Sequence, residues 1–261
     1  MGRDTDTDVY QDRRNYVWDN RSDTATLRND HGRFGTGRGD SIDTVAERLR
    51  ALGATVYPLR ADLATYDGVE NLWKQVQEIG HPLDVAVLNA GVSIGGAFAT
   101  DTELDDELKL IALNINAVVH LAKRVVPGML ARGKGRILIT FSISATMPTP
   151  YETVYGPSKA FGYSCAQSLR EELRGSGVTV TALLPGATDS DFHQRAGMGK
   201  TAIGKGQKND KRLVAKQGVD AFLAGKDHVV GGDKATKRQA LLNRFLPEPV
   251  KARRQGANAK P

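Results

Sequence analysis

The sequence predicts an α/β protein built on a doubly wound parallel sheet. Short, unbroken apolar runs alternate with helical patterns between residues 40 and 246. Such runs are typical of parallel strands that are buried on both faces, and the alternation predicts helices on both sides of the sheet. The chain has 261 residues, of which 40% are apolar and 25% are charged, which is the composition of a globular domain.

Residues 1–39 differ in composition from the rest of the chain. The first forty residues contain eight Asp and seven Arg but no Lys or Glu, and their apolar residues follow neither strand nor helix spacing. Such a segment buries too little apolar surface to offset its ordering entropy, so we predict an atypical, poorly ordered segment without strands. A reading-frame error is one explanation, since a one-nucleotide shift of Phe34–Gly39 permits Leu-Val-Leu-Val-Ala, and a natural gene remnant is another.

The main domain is predicted to span residues 40–250. Apolar residues three and four positions apart indicate helices, and unbroken aliphatic runs indicate strands. Glycines follow several of the helices, as at Gly53 and Gly175. The predicted helices are 41–50, 65–80, 102–130, 152–174, 212–223 and 234–245, and the predicted strands are 55–63, 85–88, 136–141, 178–184 and 228–230.

The C-terminal part is basic, because from Arg195 onward Lys and Arg exceed Asp and Glu by eleven. We interpret this charge as solvated surface ending in a basic flexible tail, residues 251–261, which lacks aromatic residues for base stacking. No apolar run reaches the ~18 residues of a membrane helix, and no secretory signal is visible. The single Cys165 excludes an internal disulfide and a cysteine metal cluster. We therefore predict a cytoplasmic protein without a metal, nucleic-acid or membrane partner.

Tyr155 and Lys159 lie four residues apart in a predicted helix. Residues at this spacing share a helix face, so both side chains can reach one ligand. An ammonium near a phenol favours the phenolate and predicts a lowered pKa for Tyr155, which would make it a usable general acid or base. Taken alone, the pair also fits an ordinary surface pair.

Polar residues follow the predicted strands at one edge of the sheet. The carboxyl ends of parallel strands form the ligand crevice of such sheets, so these residues are expected to converge there. An Asn inside a helix has poor propensity and needs a hydrogen-bonding reason. The residues concerned are Asp62, Asn89, Ala90, Gly91, Ser142, Pro185 and Gly186 at the strand ends and Asn114 within a helix.

In the order and spacing of these motifs, residues 40–250 resemble the short-chain dehydrogenase/reductase (SDR) family. The resemblance implies a Rossmann-like fold and an NAD(P)-dependent oxidoreductase that interconverts a small-molecule carbonyl and an alcohol. It implies that Tyr155 is the general acid/base and that Lys159 binds the nicotinamide ribose and lowers the pKa of Tyr155. It further implies that Ser142 positions the substrate oxygen and that Asn114 holds a proton-relay water.

The same resemblance implies where the cofactor, NADP or NAD, would lie. The residues it assigns to cofactor binding are Asp62, Leu63, Asn89, Ala90, Gly91, Tyr155, Lys159, Pro185, Gly186, Thr188 and Ser190. It also implies a homodimer or homotetramer formed through the helices 102–130 and 152–174. On these helices the predicted apolar rows are Leu110, Leu113, Ala117 and Leu121, and Phe161, Cys165 and Leu169.

The chain departs from the family at its beginning. The family opens with a strand, a Thr-Gly-x-x-x-Gly-x-Gly turn and a helix, and the turn lets a helix N-terminus approach the pyrophosphate. The glycines at 32, 35, 37 and 39 follow no apolar strand and do not reproduce that context. The sequence therefore also permits a second hypothesis, a non-catalytic or unstable relative that has lost cofactor binding.

Overall fold

The computed structural model describes residues 17–19, 42–51 and 53–260. The strands are β1 Val17–Asp19, β2 Val85–Leu88, β3 Gly135–Thr140, β4 Val178–Pro185 and β5 His228–Gly231. The helices are α1 Ile42–Ala51, α2 Tyr66–Glu78, α3 Leu104–Ile111, α4 Ala117–Ala131, α5 Tyr155–Glu172, α6 Phe192–Arg195, α7 Ala202–Lys205, α8 Lys211–Leu223, α9 Lys234–Asn243 and α10 Glu248–Ala259. A π-helical turn, Ala112–Asn116, joins α3 to α4, and a 3-10 turn covers Ile143–Thr146.

The described strands form one parallel sheet in the order β1-β2-β3-β4-β5. Successive strand residues point to opposite faces. On β3, Ile137 and Ile139 belong to the main core, which α2, α4 and α5 cover. Leu138 points to the other face, where it joins a smaller core with Phe222 of α8. The predicted doubly wound sheet is therefore confirmed.

Two strand predictions are wrong. Residues 55–63 form no strand, and the exposed fraction of the Tyr57 side chain is 53%. A strand needs a neighbouring edge to pair with, and no strand in the described part of the chain lies beside this segment. Conversely, Val17–Asp19 lies in the segment predicted to lack strands but pairs with β2 from Val17↔Ala86 to Asp19↔Leu88. A strand pairs with the edge of β2 through backbone hydrogen bonds, so β1 does not need an alternating or unbroken apolar pattern of its own. The remainder of 1–39 lies outside the described residues.

The prediction of a flexible tail is wrong for residues 251–259, which belong to α10. Lys251, Gln255 and Ala259 are buried, and their spacing of four places them on one face of the helix. Two of these three residues are polar, so the apolar periodicity that would have predicted a packed helix is weak. The buried face lies against the segment before α5 and against the loop that contains α6 and α7.

The continuous helix Leu104–Ala131 is long and apolar enough to cross a membrane by length and composition. Its apolar row faces the sheet of its own chain, because Leu110 and Met129 are fully buried and Leu121 is in the main core. It is therefore the core helix of the fold. The predicted partner-facing row is corrected accordingly: Leu110, Leu113, Ala117 and Leu121 are buried within the chain.

Candidate active site

A cavity of about 1360 Å³ opens where β2, β3 and β4 end, and it extends along α8. Parallel strands present their carboxyl ends at one edge, and this edge is where the sequence places its polar motifs. Nine of the predicted site residues line this cavity: Asn89, Gly91, Ser142, Tyr155, Lys159, Pro185, Gly186, Thr188 and Ser190.

Four predicted site residues do not line the cavity. Asn114 hydrogen-bonds Val92 and Ser158, which adjoin the lining residues Gly91 and Lys159 in the sequence. Leu63 and Ala90 are buried in the main core, so their side chains are packing groups. Asp62 turns its carboxylate onto its own loop, where Oδ1 accepts a hydrogen bond from the Ala64 N–H at 3.0 Å.

Tyr155 is buried at the start of α5, and Lys159 follows one turn later. The Lys159 ammonium lies 5.7 Å from the centroid of the Tyr155 ring, which places the charge over the ring face. Burial lowers the pKa of Lys159 to about 8. Among the described residues no carboxylate lies within ion-pair distance of this buried ammonium.

The sequence predicts a lowered pKa for Tyr155, and the structure gives the opposite sign. Burial of the phenol raises its pKa, and the nearby Glu152 carboxyl raises it further. A hydrogen bond from the Ser142 hydroxyl to the Tyr155 oxygen acts in the other direction but is the smallest of the three effects. The reason is that the loss of hydration on burial is the largest effect on this phenol, and the Lys159 ammonium does not offset it. Tyr155 is therefore a phenol at neutral pH.

Asn114 lies in the π-helical turn and joins three parts of the site. Its Oδ1 accepts from the Val92 N–H and its Nδ2 donates to the Val92 carbonyl, both at 2.9 Å, so it holds the end of the β2 loop. Its Nδ2 also lies 3.0 Å from Ser158 Oγ on α5. A side chain at Gly91 would not fit here, because its Cβ would lie 2.6 Å from Lys159 Nζ. The poor helix propensity of Asn114 is thus offset by contacts that fix the site.

Sequence reasoning missed Asn209 and Thr236, which hold the segment after β4. Asn209 Nδ2 donates to the Ala187 carbonyl and to Thr236 Oγ1, each at 3.0 Å. A Cβ on Gly186 would lie 2.5 Å from Thr236 Cγ2, so only glycine fits beside this pair. Asn209 lies in a polar loop in the sequence, and no local pattern distinguishes it from its neighbours.

Glu152 was also missed, although it lies one turn before Tyr155. Its side chain is buried in the cavity wall, and its Oε1 accepts a hydrogen bond from Ser93 Oγ at 2.8 Å. Burial raises the pKa of Glu152. Glu152 therefore ionises less readily than an exposed carboxyl, and its charge, where present, raises the pKa of Tyr155.

His193 gives the site a measurable pH dependence. Burial, together with the nearby Lys208 ammonium, lowers the pKa of His193 to about 4 from 6.5. As pH falls, the imidazole of His193 is therefore protonated in the unfolded chain before it is protonated in the folded chain. The free energy of unfolding is not reduced by this residue above about pH 6.5, and it decreases as pH falls towards 4. We expect the free energy of unfolding, measured in urea, to decrease by about 2–3 kcal/mol less between these pH values in His193→Gln than in the wild-type chain. His81→Gln, at an exposed position, is the control. If the free energy of unfolding of His193→Gln depends on pH as in the wild-type chain, the pKa of His193 is not lowered in the folded state.

Comparisons with known proteins agree with this architecture. A family model described as short chain dehydrogenase matches residues 34–200, which is more than half of the chain. The chain is 32% identical over 152 residues to a short chain dehydrogenase of Pseudocercospora fijiensis, covering 58% of this chain and 49% of that protein. It is 34% identical over 153 residues to a probable NADP-dependent dehydrogenase of Haemophilus influenzae, covering 59% of this chain and 60% of that protein. The matched region thus spans less than two thirds of these relatives.

A solved structure extends the similarity to three dimensions. The short-chain dehydrogenase from Sphingobium yanoikuyae in complex with NADPH superposes with a TM-score of 0.68 at 26% identity. The superposition covers 79% of this chain and 82% of that chain.

Proposed function

The chain belongs to the short chain dehydrogenase family, and from this premise we propose that it transfers a hydride between NADP or NAD and a small carbonyl or alcohol compound. The observation that carries the proposal is the grouping of Ser142, Tyr155 and Lys159 in one cavity at the strand ends. A buried, unpaired lysine is costly and adds little to a purely structural protein, so it favours catalysis over a non-catalytic relative.

In the proposed reaction Tyr155 handles the proton of the substrate oxygen. Because Tyr155 is a phenol at neutral pH, it is set to donate a proton to a carbonyl oxygen, which favours the direction of reduction. Ser142 hydrogen-bonds Tyr155 and would hold the same oxygen in place. Asn114 joins the loop after β2 to α5, so that the proton donor keeps its position. The nicotinamide cofactor, when bound, supplies or accepts the hydride.

The described residues fit the nicotinamide end of such a cofactor. Gly91 and Gly186 line the cavity, and the Lys159 ammonium and the Thr188 hydroxyl in the same lining are groups that can donate hydrogen bonds. The pyrophosphate lacks its usual binding site, because the glycine turn of the family does not occur in the sequence. The cofactor proposed for this chain is therefore held mainly by its nicotinamide half.

Isotope transfer tests the proposed function directly. Purified chain is incubated with deuterium-labelled NADPH, at millimolar concentration because binding is weak, and with a panel of aldehydes and ketones. We expect deuterium on the former carbonyl carbon of at least one product, detected by mass spectrometry. Chain in which Lys159 is replaced by Met is the control and should transfer none. A wild-type chain that transfers no deuterium in any reaction contradicts the proposal.

We also propose that the chain forms a homo-oligomer in the cytoplasm through α5. The exposed fraction of the Phe161 side chain is 47%, and Cys165 one turn later is exposed too, so these two members of the predicted row on α5 are accessible to a partner. We expect Phe161→Asp to shift the chain from dimer or tetramer to monomer in light scattering, because an interface phenylalanine contributes about 2 kcal/mol or more. Phe245→Asp, at an exposed phenylalanine outside α5, should leave the assembly unchanged. A wild-type monomer with native circular dichroism would contradict this proposal.

A further inference from the structure

The C-terminal helix α10 contributes to the wall of the active-site cavity. Gln255 and Asn258 of this helix line the cavity that also contains Tyr155 and Ser142. The Gln255 side chain is 3% exposed, although most of the neighbouring residues of α10 are solvated. Its position in the cavity wall is therefore set by tertiary packing.

Two buried polar atoms in this wall have no hydrogen-bond partner among the described residues. They are Nε2 of Gln255 and Nδ1 of His193, and both residues line the cavity. A buried polar atom without a partner costs about 1–3 kcal/mol, and such atoms are rare in folded proteins. Gln255 lines a ligand cavity, so a small rotation of its side chain would let a ligand oxygen complete the missing hydrogen bond of Nε2.

The packing of α10 brings these two residues to the same end of the cavity. Ala259, one turn after Gln255 on the same face, packs in a cluster with Ala196 and Met198. The Met198 N–H donates to the His193 carbonyl at 2.8 Å, so that cluster adjoins His193. The segment that contains His193 also adjoins Tyr155, because the centroid of the ring of Phe192 lies 5.6 Å from that of Tyr155.

Tyr151, a residue with a strained backbone, lies between α10 and the start of α5. Tyr151 has a φ of 64°, in the left-handed region that non-glycine residues seldom adopt. It packs in the cluster of Ala259, and Gly256 of α10 lies against Pro150 beside it. Strained residues persist where the surroundings hold them, and they concentrate at functional sites. Here α10 helps to hold the loop that leads into α5.

We infer that Gln255 is a substrate-specificity residue, which donates a hydrogen bond from Nε2 to an uncharged oxygen on the substrate, away from the reacting carbonyl. His193 is the second polar group of the same wall. The inference rests on the proposed function, and it narrows the substrate class to carbonyl compounds with a second, neutral oxygen such as an ether or a hydroxyl. Gln255 and His193 are both uncharged at neutral pH, so neither supplies a counter-charge for an ionic substituent.

A matched pair of ketones tests the inference without turnover. Phenoxyacetone and benzylacetone have the same chain length and differ by an ether oxygen in place of a methylene group. We expect the wild-type chain to bind phenoxyacetone about 2–10-fold more tightly in NMR titrations, which is the contribution of one hydrogen bond. Gln255→Met, which keeps the length of the side chain but has no N–H, should bind both ketones equally. Arg254→Met, at an exposed position on the same helix, should keep the preference.

The outcomes separate this inference from the proposed function. The side-chain amide signal of Gln255, assigned by its absence in Gln255→Met, should shift on addition of phenoxyacetone and less on addition of benzylacetone. Equal affinity of the two ketones for the wild-type chain, no binding of either, or a preference that survives in Gln255→Met overturns the inference, and the first two need no variant to fold. Ether-selective binding without any deuterium transfer would support the inference and contradict the proposed oxidoreductase function.

Discussion

NADPH and NADH are expected to bind this chain too weakly to be measured at micromolar concentrations. The described cavity is lined by Lys159, Thr188, Gly91 and Gly186, which suit the nicotinamide end. The pyrophosphate and the adenosine ribose ordinarily take several charge-assisted hydrogen bonds from a glycine turn and a second strand. Each such bond contributes about 1.5–3 kcal/mol, so the loss of several weakens binding by orders of magnitude.

The test replaces residues 1–39 by a strand, a Thr-Gly-x-x-x-Gly-x-Gly turn, a helix and a second strand. We expect this chain to bind NADPH in calorimetry at least about 100-fold more tightly than the original, since two restored bonds suffice for that change. A matched chain in which valines replace the three turn glycines should lose the gain, because their side chains would keep the pyrophosphate from the backbone. Micromolar binding by the unmodified chain would show that residues 1–39 form a cradle that the sequence does not reveal.

Tyr155→Phe is expected to reduce turnover by about 10²–10⁴-fold, the usual contribution of a general acid. The substitution removes one hydroxyl and leaves the ring, which packs against Phe192 and lies under the Lys159 ammonium. The thermal stability should therefore change little. The assay follows NADPH oxidation, in the original chain at millimolar cofactor and in the chain with the restored glycine turn.

Tyr163→Phe is the matched control, because Tyr163 lies on the same helix but does not line the cavity. It should retain nearly full turnover. The binding of NADPH to the restored chain should be the same with Tyr or Phe at position 155, which separates loss of the proton donor from loss of the cofactor. A folded Tyr155→Phe variant with ordinary turnover would exclude Tyr155 as the acid.

Periodicity and motif spacing predicted the parallel sheet, the long core helix and the family. They did so because strand burial and helix faces are local, repeating properties that a run of residues carries in itself. The convergence of Asn89, Ser142, Tyr155 and Pro185 on one cavity also followed, since the carboxyl ends of parallel strands share an edge. The roles proposed for these residues remain predictions.

Local pattern failed where the outcome depends on partners distant in sequence. Residues 55–63 have strand composition but pair with none of the described strands, whereas Val17–Asp19 pairs with β2 without an apolar pattern. The sign of the Tyr155 pKa shift is set mainly by burial of the phenol, and a spacing of four between Tyr155 and Lys159 fixes only their shared helix face.

The alternation of β2 to β5 with helices and the presence of the family motif are therefore properties of the sequence alone, because each depends on residues close together along the chain. The polar wall of the cavity is a property of the tertiary structure. Gln255 belongs to a segment whose composition indicates a solvated tail, and it becomes a buried wall residue only because Ala259 and Gly256 dock α10 beside Tyr151. Burial of a polar side chain depends on which surface packs against it, and here that surface is formed by residues about one hundred positions away in the sequence.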